Sequence, residues 1–153
     1  MSTPILGPGP FPVLVHPFSS PTQGSCAYEL GSPSRDALVF IGGLGDGPHT
    51  IPYVRTIAHE LEKAAGLSYS VFEVRLSSSF TGYGFTSLKD DVKDLSALVR
   101  YLRWLGKKKV VFLGHSTGCQ VRTRTFLRLK PAHLLVVGLH GVHRLSQARQ
   151  RAC

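Results

Sequence analysis

Residues 110–118 read Val110-Val111-Phe112-Leu113-Gly114-His115-Ser116-Thr117-Gly118. An apolar run of strand length ends in a G-x-S-x-G pentapeptide, and a helical pattern follows. Such a strand–turn–helix places the serine at a sharp turn with its hydroxyl exposed. Gly114 and Gly118 leave room for the strand and the following helix to cross closely. The pattern therefore predicts a nucleophile elbow with Ser116 at its tip. Thr117 supplies the backbone N–H directly after the nucleophile, one half of an oxyanion hole.

Working outward, Ala37–Ile41 is an uninterrupted apolar run, as expected of a strand covered on both faces. Gly42-Gly43-Leu44-Gly45-Asp46-Gly47 follows it as a flexible loop. A loop at that place would give the second oxyanion donor: the amide of Leu44 first, that of Gly45 second. Asp46 reads as a turn former. From Pro52 onward, Val54, Ile57, Ala58, Leu61 and Ala65 share one helical face, ended by Gly66. Tyr69–Val74 is the next strand. Ser87 and Asp90 form a capping box ahead of Leu88, Val92, Leu95, Val99 and Leu102, a helix with an apolar stripe and a solvated face. Lys109–Leu113 is the third central strand and Leu134–Val137 a further one. Phe11–His16 and Cys26–Leu30 are short edge strands in the manner of a hairpin. Alternation of strands and helices describes a parallel sheet with crossover helices.

Three segments result: a Pro/Gly/Ser-rich lead-in over 1–24, a strand–helix unit over 25–120, and a basic tail over 121–153. The formal charge is +9, but all 9 Asp and Glu precede residue 95, and 7 of the 18 Lys and Arg follow residue 121. The basicity belongs mostly to the tail, so nucleic-acid binding is not expected. Lys107-Lys108-Lys109 reads as a solvated loop. No run of 18 apolar residues occurs, so no membrane association is expected. The N-terminal stretch lacks the basic region of a signal peptide. Cys26, Cys119 and Cys153 have no metal spacing and are odd in number, which favours a reducing compartment and a cytoplasmic location. No P-loop, dinucleotide fingerprint or zinc spacing is present, and neither a cofactor nor a metal is expected.

A serine hydroxyl needs a positioned base. His115 lies inside the elbow and reads as structural, and His59 falls within the first helix. His49, near the glycine loop, is either a substrate contact or a helix-start residue. His140 and His143 follow the serine, as a base should, but directly after the run 134–137. No Asp or Glu follows them.

At the motifs 38–47, Arg75-Leu76-Ser77-Ser78-Ser79-Phe80-Thr81-Gly82-Tyr83-Gly84 and Gly114–Gln120, the chain resembles the fungal DUF1749 group of α/β-hydrolases. The resemblance covers about residues 10–120. It implies a partial α/β-hydrolase fold with a parallel central sheet and the C-terminal half missing. It implies Ser116 as nucleophile, Thr117 and the Leu44 region as oxyanion donors, and the 75–83 loop, with Arg75 and Tyr83, as substrate rim. The group includes siderophore esterases that open fusarinine-type hydroxamate esters, so the implied function is a serine ester hydrolase acting on a small-molecule ester. The alternative is a catalytically inactive fragment or interaction protein derived from such a hydrolase. Beyond Gln120 the family pattern gives way to Val121-Arg122-Thr123-Arg124, which fits a retained intron, a frame shift or an altered gene model. Missing later strands would leave a sheet edge open to self-association. Residues 122–130 are expected to be helical up to Pro131, and 141–153 loosely packed.

Overall fold

The computed structural model describes residues 9–22 and 24–129 and the backbone of 134–138. The strands are β1 (Leu14–Pro17), β2 (Cys26–Leu30), β3 (Asp36–Ile41), β4 (Tyr69–Arg75), β5 (Val110–Gly114) and β6 (Leu134–Gly138). The helices are α1 (Tyr53–Lys63), α2 (Leu88–Trp104) and α3 (Gly118–Leu129), with one 3₁₀ turn at Gly82–Gly84.

The strands form one sheet in the order β1-β2-β4-β3-β5-β6. The four strands β4, β3, β5 and β6 run parallel, whereas β1 and β2 extend the sheet antiparallel at one side. The sheet is thus mixed, with the expected parallel strands at its centre. β5 lies between β3 and β6, Phe112 opposite Val39 and Val136. β1 starts at Leu14 rather than Phe11, because Pro10 and Pro12 supply no N–H for a ladder. α3 starts at Gly118, inside the elbow motif, rather than at residue 122.

Two layers of core flank the sheet. Val39, Ile41, Phe72, Val74, Val110 and Phe112 meet Leu95, Leu98, Val99 and Leu102 of α2 and Val121 of α3. On the other face, Leu30, Phe40, Val71 and Leu113 meet Val54 and Ala58 of α1. Fully burying each such aliphatic or aromatic side chain stabilises the fold by about 1.5–3 kcal/mol. The capping box also forms: Ser87 N–H and Oγ–H both donate to Asp90 Oδ2, at 3.1 and 2.8 Å.

The topology positions the site. From β3 the chain crosses through α1 to β4 on one side, then returns through α2 to β5 on the other side. Right-handed crossovers in opposite directions put α1 and α2 on opposite faces. Beyond the carboxyl ends of β3 and β5 the connections diverge, and a crevice opens there. The glycine loop after β3 and the elbow after β5 are its two walls.

Candidate active site

Ser116 is exposed and has φ +52°, a left-handed conformation that only a tight turn imposes on a non-glycine residue. Such a residue costs on the order of 1–3 kcal/mol. The surroundings hold it there. His115 N–H donates to Ile41 O at 2.9 Å, and Cys119 N–H to Ser116 O at 3.0 Å. Gly118 is obligatory: a Cβ on it would lie 2.2 Å from Ile41 O and 2.5 Å from Gly42 O. The close crossing of α3 over β3 leaves no space for a side chain.

The glycine loop lies directly against the serine. A Cβ on Gly43 would lie 3.0 Å from Ser116 Cβ. Asp46 shapes the loop as a turn former: its Oδ2 accepts Gly43 N–H at 2.7 Å, while its own N–H donates to Gly43 O at 3.1 Å. Gly43 N–H is therefore occupied. The amides of Leu44, Gly45 and Thr117 donate to no group among the described residues. These are the three amides that the sequence assigns to the oxyanion hole.

A second loop closes the crevice. Phe80 N–H donates to Asp46 O at 3.2 Å, and the Phe80 ring fills the space a Gly47 side chain would need. This ties 76–86 to the glycine loop. Between them lies a cavity of about 170 Å³ bordered by Gly43, Leu44, Tyr83, Asp91, Thr117 and Gln120, among others. Leu44 and Tyr83 are 63% and 51% exposed and form its apolar rim. Gly45 sits against Tyr83, 3.9 Å from Cε1 to an added Cβ.

Other sequence candidates lie elsewhere. Arg75 ends β4 as an exposed residue, its guanidinium near Gly24 and Tyr28, and does not border this cavity. His49 does not border it either. It stands before α1 at φ +69°, its N–H donating to Glu73 Oε1 at 3.0 Å. Its Nδ1 lies 2.7 Å from Glu73 Oε2, although that oxygen receives no aligned hydrogen bond. Burial pushes the Glu73 carboxyl up, and the His49 contacts only partly offset it. His49 thus fastens the glycine loop to β4. His115 turns toward α1, with Nδ1 3.1 Å from Tyr53 Oη. His16 bonds Glu29 and Tyr101, and His59 lines a separate cleft by α1. Among the described residues no histidine borders this cavity, whose wall includes Thr117 and Gly43, the neighbours of Ser116, rather than Ser116 itself. His140 and His143 lie outside the described residues.

Sequence reasoning missed two acids. Asp91 and Asp94 are 2% and 0% exposed, although α2 was expected to turn its polar residues to solvent. Asp94 Oδ2 accepts Ser77 N–H at 2.8 Å and Ser77 Oγ–H at 2.6 Å. Its Oδ1 accepts hydroxyls of Ser20 and Thr22. Asp91 Oδ1 accepts Ser78 N–H at 3.0 Å. The available signal was spacing: residues 91, 94 and 98 share a helix face, and Leu98 is buried. No cluster of potential metal ligands occurs among the described residues. No described helix is long and apolar enough to cross a membrane.

A parallel sheet core, an elbow serine at positive φ and a facing glycine loop define the α/β-hydrolase fold. Solved structures agree. The siderophore hydrolase EstB from Aspergillus fumigatus superposes with a TM-score of 0.65 and 27% identity, over 82% of this chain and 38% of that one. The chain belongs to the family described as Protein of unknown function (DUF1749), which matches residues 6–134. A UPF0613 protein of Schizosaccharomyces pombe is 36% identical over 123 residues, 71% of this chain and 37% of the relative. The fusarinine C esterase sidJ of Aspergillus fumigatus is 32% identical over 93 residues, 55% of this chain and 25% of the relative. The chain thus spans well under half the length of these relatives.

Proposed function

We propose that the chain carries the nucleophile half of a serine ester hydrolase whose substrates include esters of fusarinine-type hydroxamate siderophores. One observation carries the reading: an exposed Ser116, strained at the tip of its elbow, stands beside the amides of Leu44, Gly45 and Thr117, which donate to no group among the described residues. In the reaction, Ser116 Oγ adds to the ester carbonyl carbon and its proton passes to a base. The carbonyl oxygen becomes an oxyanion held by the amides of Thr117 and Leu44, with Gly45 behind it. The carbonyl reforms, the C–O bond to the alcohol breaks, and the alkoxide takes the proton. Water then releases the acyl group by the same steps. His140 and His143 are the candidates for the base. The siderophore part of the reading draws on the names of sidJ and EstB and on the shared family.

The test compares the chain with Ser116→Ala on a simple acyl ester and on fusarinine-type esters. Turnover that falls by about 10³-fold or more in Ser116→Ala supports the reading. Equal rates in the two proteins overturn it. A second reading, a ligand-binding protein without turnover, is favoured by the absence of a histidine from the cavity wall among the described residues. It predicts that both proteins bind the ester equally and hydrolyse neither substrate.

A further inference from the structure

The ester chemistry leaves one charge in the cleft unused. Among the described residues bordering the 170 Å³ cavity beside Thr117 and Leu44, Asp91 is the one that is charged. It is 98% removed from solvent by its neighbours, being 2% exposed. Its Oδ1 takes Ser78 N–H at 3.0 Å, and the Ser78 side chain lies against the same carboxyl. The charged groups that face it are Asp94 and Asp90, both acids. Asp90 has its own cation, Lys93 at 2.8 Å, and Asp94 is saturated by hydroxyls and an amide. No cation among the described residues is paired with Asp91.

A buried carboxylate is costly unless it is paired. Burial pushes the Asp91 carboxyl up, and the two neighbouring acids add to this against the Ser78 contacts. Holding Ser78 N–H needs only an uncharged acceptor, which an asparagine supplies. The first turn of α2, where Asp91 sits, offsets part of the cost of burying the charge; a positive group entering the cavity would offset the rest. The rest of the wall says what form that takes: Leu44 and Tyr83 are apolar, and the volume suits a short chain.

We infer that Asp91 is a specificity residue of this cleft, selecting esters whose acyl part carries an ammonium group on a short aliphatic chain. This rests on the reading of the Ser116 cleft as an ester site. Asp91 holds the ammonium by a charge-assisted hydrogen bond while the apolar stem lies along Leu44 and Tyr83. The carbonyl is thereby directed toward Thr117.

Two measurements separate this inference from the ester reading. The first is binding of n-hexylammonium against 1-hexanol at pH 7.5, read from amide NMR shifts of the 153-residue chain. The expected result is about tenfold tighter binding of the ammonium, with shifts at Ser78 and Thr117. The preference is lost in Asp91→Asn and kept in Ser116→Ala. Equal binding of the two probes, or an undiminished preference in Asp91→Asn, overturns the inference. Asp91→Ser is the alternative variant if Asp91→Asn does not fold, and the two-probe comparison on the unaltered chain needs no variant. The second measurement is hydrolysis of p-nitrophenyl 6-aminohexanoate and p-nitrophenyl hexanoate. If neither is cleaved but hexylammonium binds through Asp91, the ammonium site stands and the ester reading fails. If both are cleaved at equal rates, in Asp91→Asn as in the parent, the ester reading stands and the ammonium inference fails.

Discussion

Ser116 is a residue placed against its own backbone preference. Its φ of +52° belongs to the region glycine enters freely. Ser116→Gly is therefore expected to raise stability by about 1 kcal/mol while removing the nucleophile. Urea denaturation of the two chains at one pH measures it, and a lower midpoint in Ser116→Gly contradicts the strain. Gly118 gives the opposite case. Ala there forces a Cβ to 2.2 Å from Ile41 O, so β3 and α3 must separate. Gly118→Ala is expected to lose several kcal/mol, on the scale of a severe core substitution; retention of the parental midpoint contradicts it. Both glycines and the serine were legible in the sequence, because a short motif fixes the turn. The cleft-facing role of Asp91 was not, since nothing local distinguishes an acid facing solvent from one folded under a distant loop.

At the scale of elements, α2 carries two adjacent acids that respond to pH in opposite directions. Hydrogen bonds from Lys93, then from Ser87, hold Asp90 down at about 2. Its contribution to stability is present above the ordinary carboxylate pKa and lost as pH falls toward 2. Burial raises Asp91 instead. The fold then favours its protonated form, so its contribution is fully present below the ordinary carboxylate pKa and lost as pH rises through the raised value. Asp91→Asn is thus expected to be more stable than the parent at pH 7, with the gain vanishing near pH 3. Thermal melts across that range test it; a gain that grows toward acid contradicts the assignment. A gain in stability alongside a loss of ammonium preference in Asp91→Asn would make Asp91 a place where stability is given up for recognition. The capping box of α2 and its apolar stripe were readable from spacing alone. Asp94 escaped because its partners, Ser20, Thr22 and Ser77, come from segments that have no periodicity.

For the whole molecule, the parallel centre of the sheet was within reach of the sequence because apolar runs alternating with helical patterns admit few topologies. The β1–β2 hairpin was readable as such, but the antiparallel pairing of β2 with β4 and the pinning of His49 by Glu73 depend on contacts between distant segments, and no pattern within either segment encodes them. Among the described residues the sheet ends at β1 on one side and β6 on the other. β1 is only 4 residues long and closes on Pro17, which blunts that edge. β6 reads Leu134-Leu135-Val136-Val137-Gly138, and no other strand among the described residues pairs with its outer side. Concentration-dependent self-association is the expected outcome, read by size-exclusion chromatography with light scattering. A monomer at all concentrations contradicts it.

Asp94 joins segments that the chain separates by more than fifty residues: Ser20 and Thr22 before β2, and Ser77 after β4. One carboxylate therefore sets the local opening of both. In hydrogen-exchange terms they form a single unit, although neither belongs to a helix or strand. Asparagine at position 94 keeps the shape but replaces an acceptor with a donor facing Ser20 and Thr22 or Ser77. Exchange should accelerate together in residues 18–25 and 76–80, while β3 and β5 keep their protection. The wall of the cleft and the connection between β1 and β2 would thus loosen as one body, and Asp94 rather than the elbow would set the breathing of the cavity.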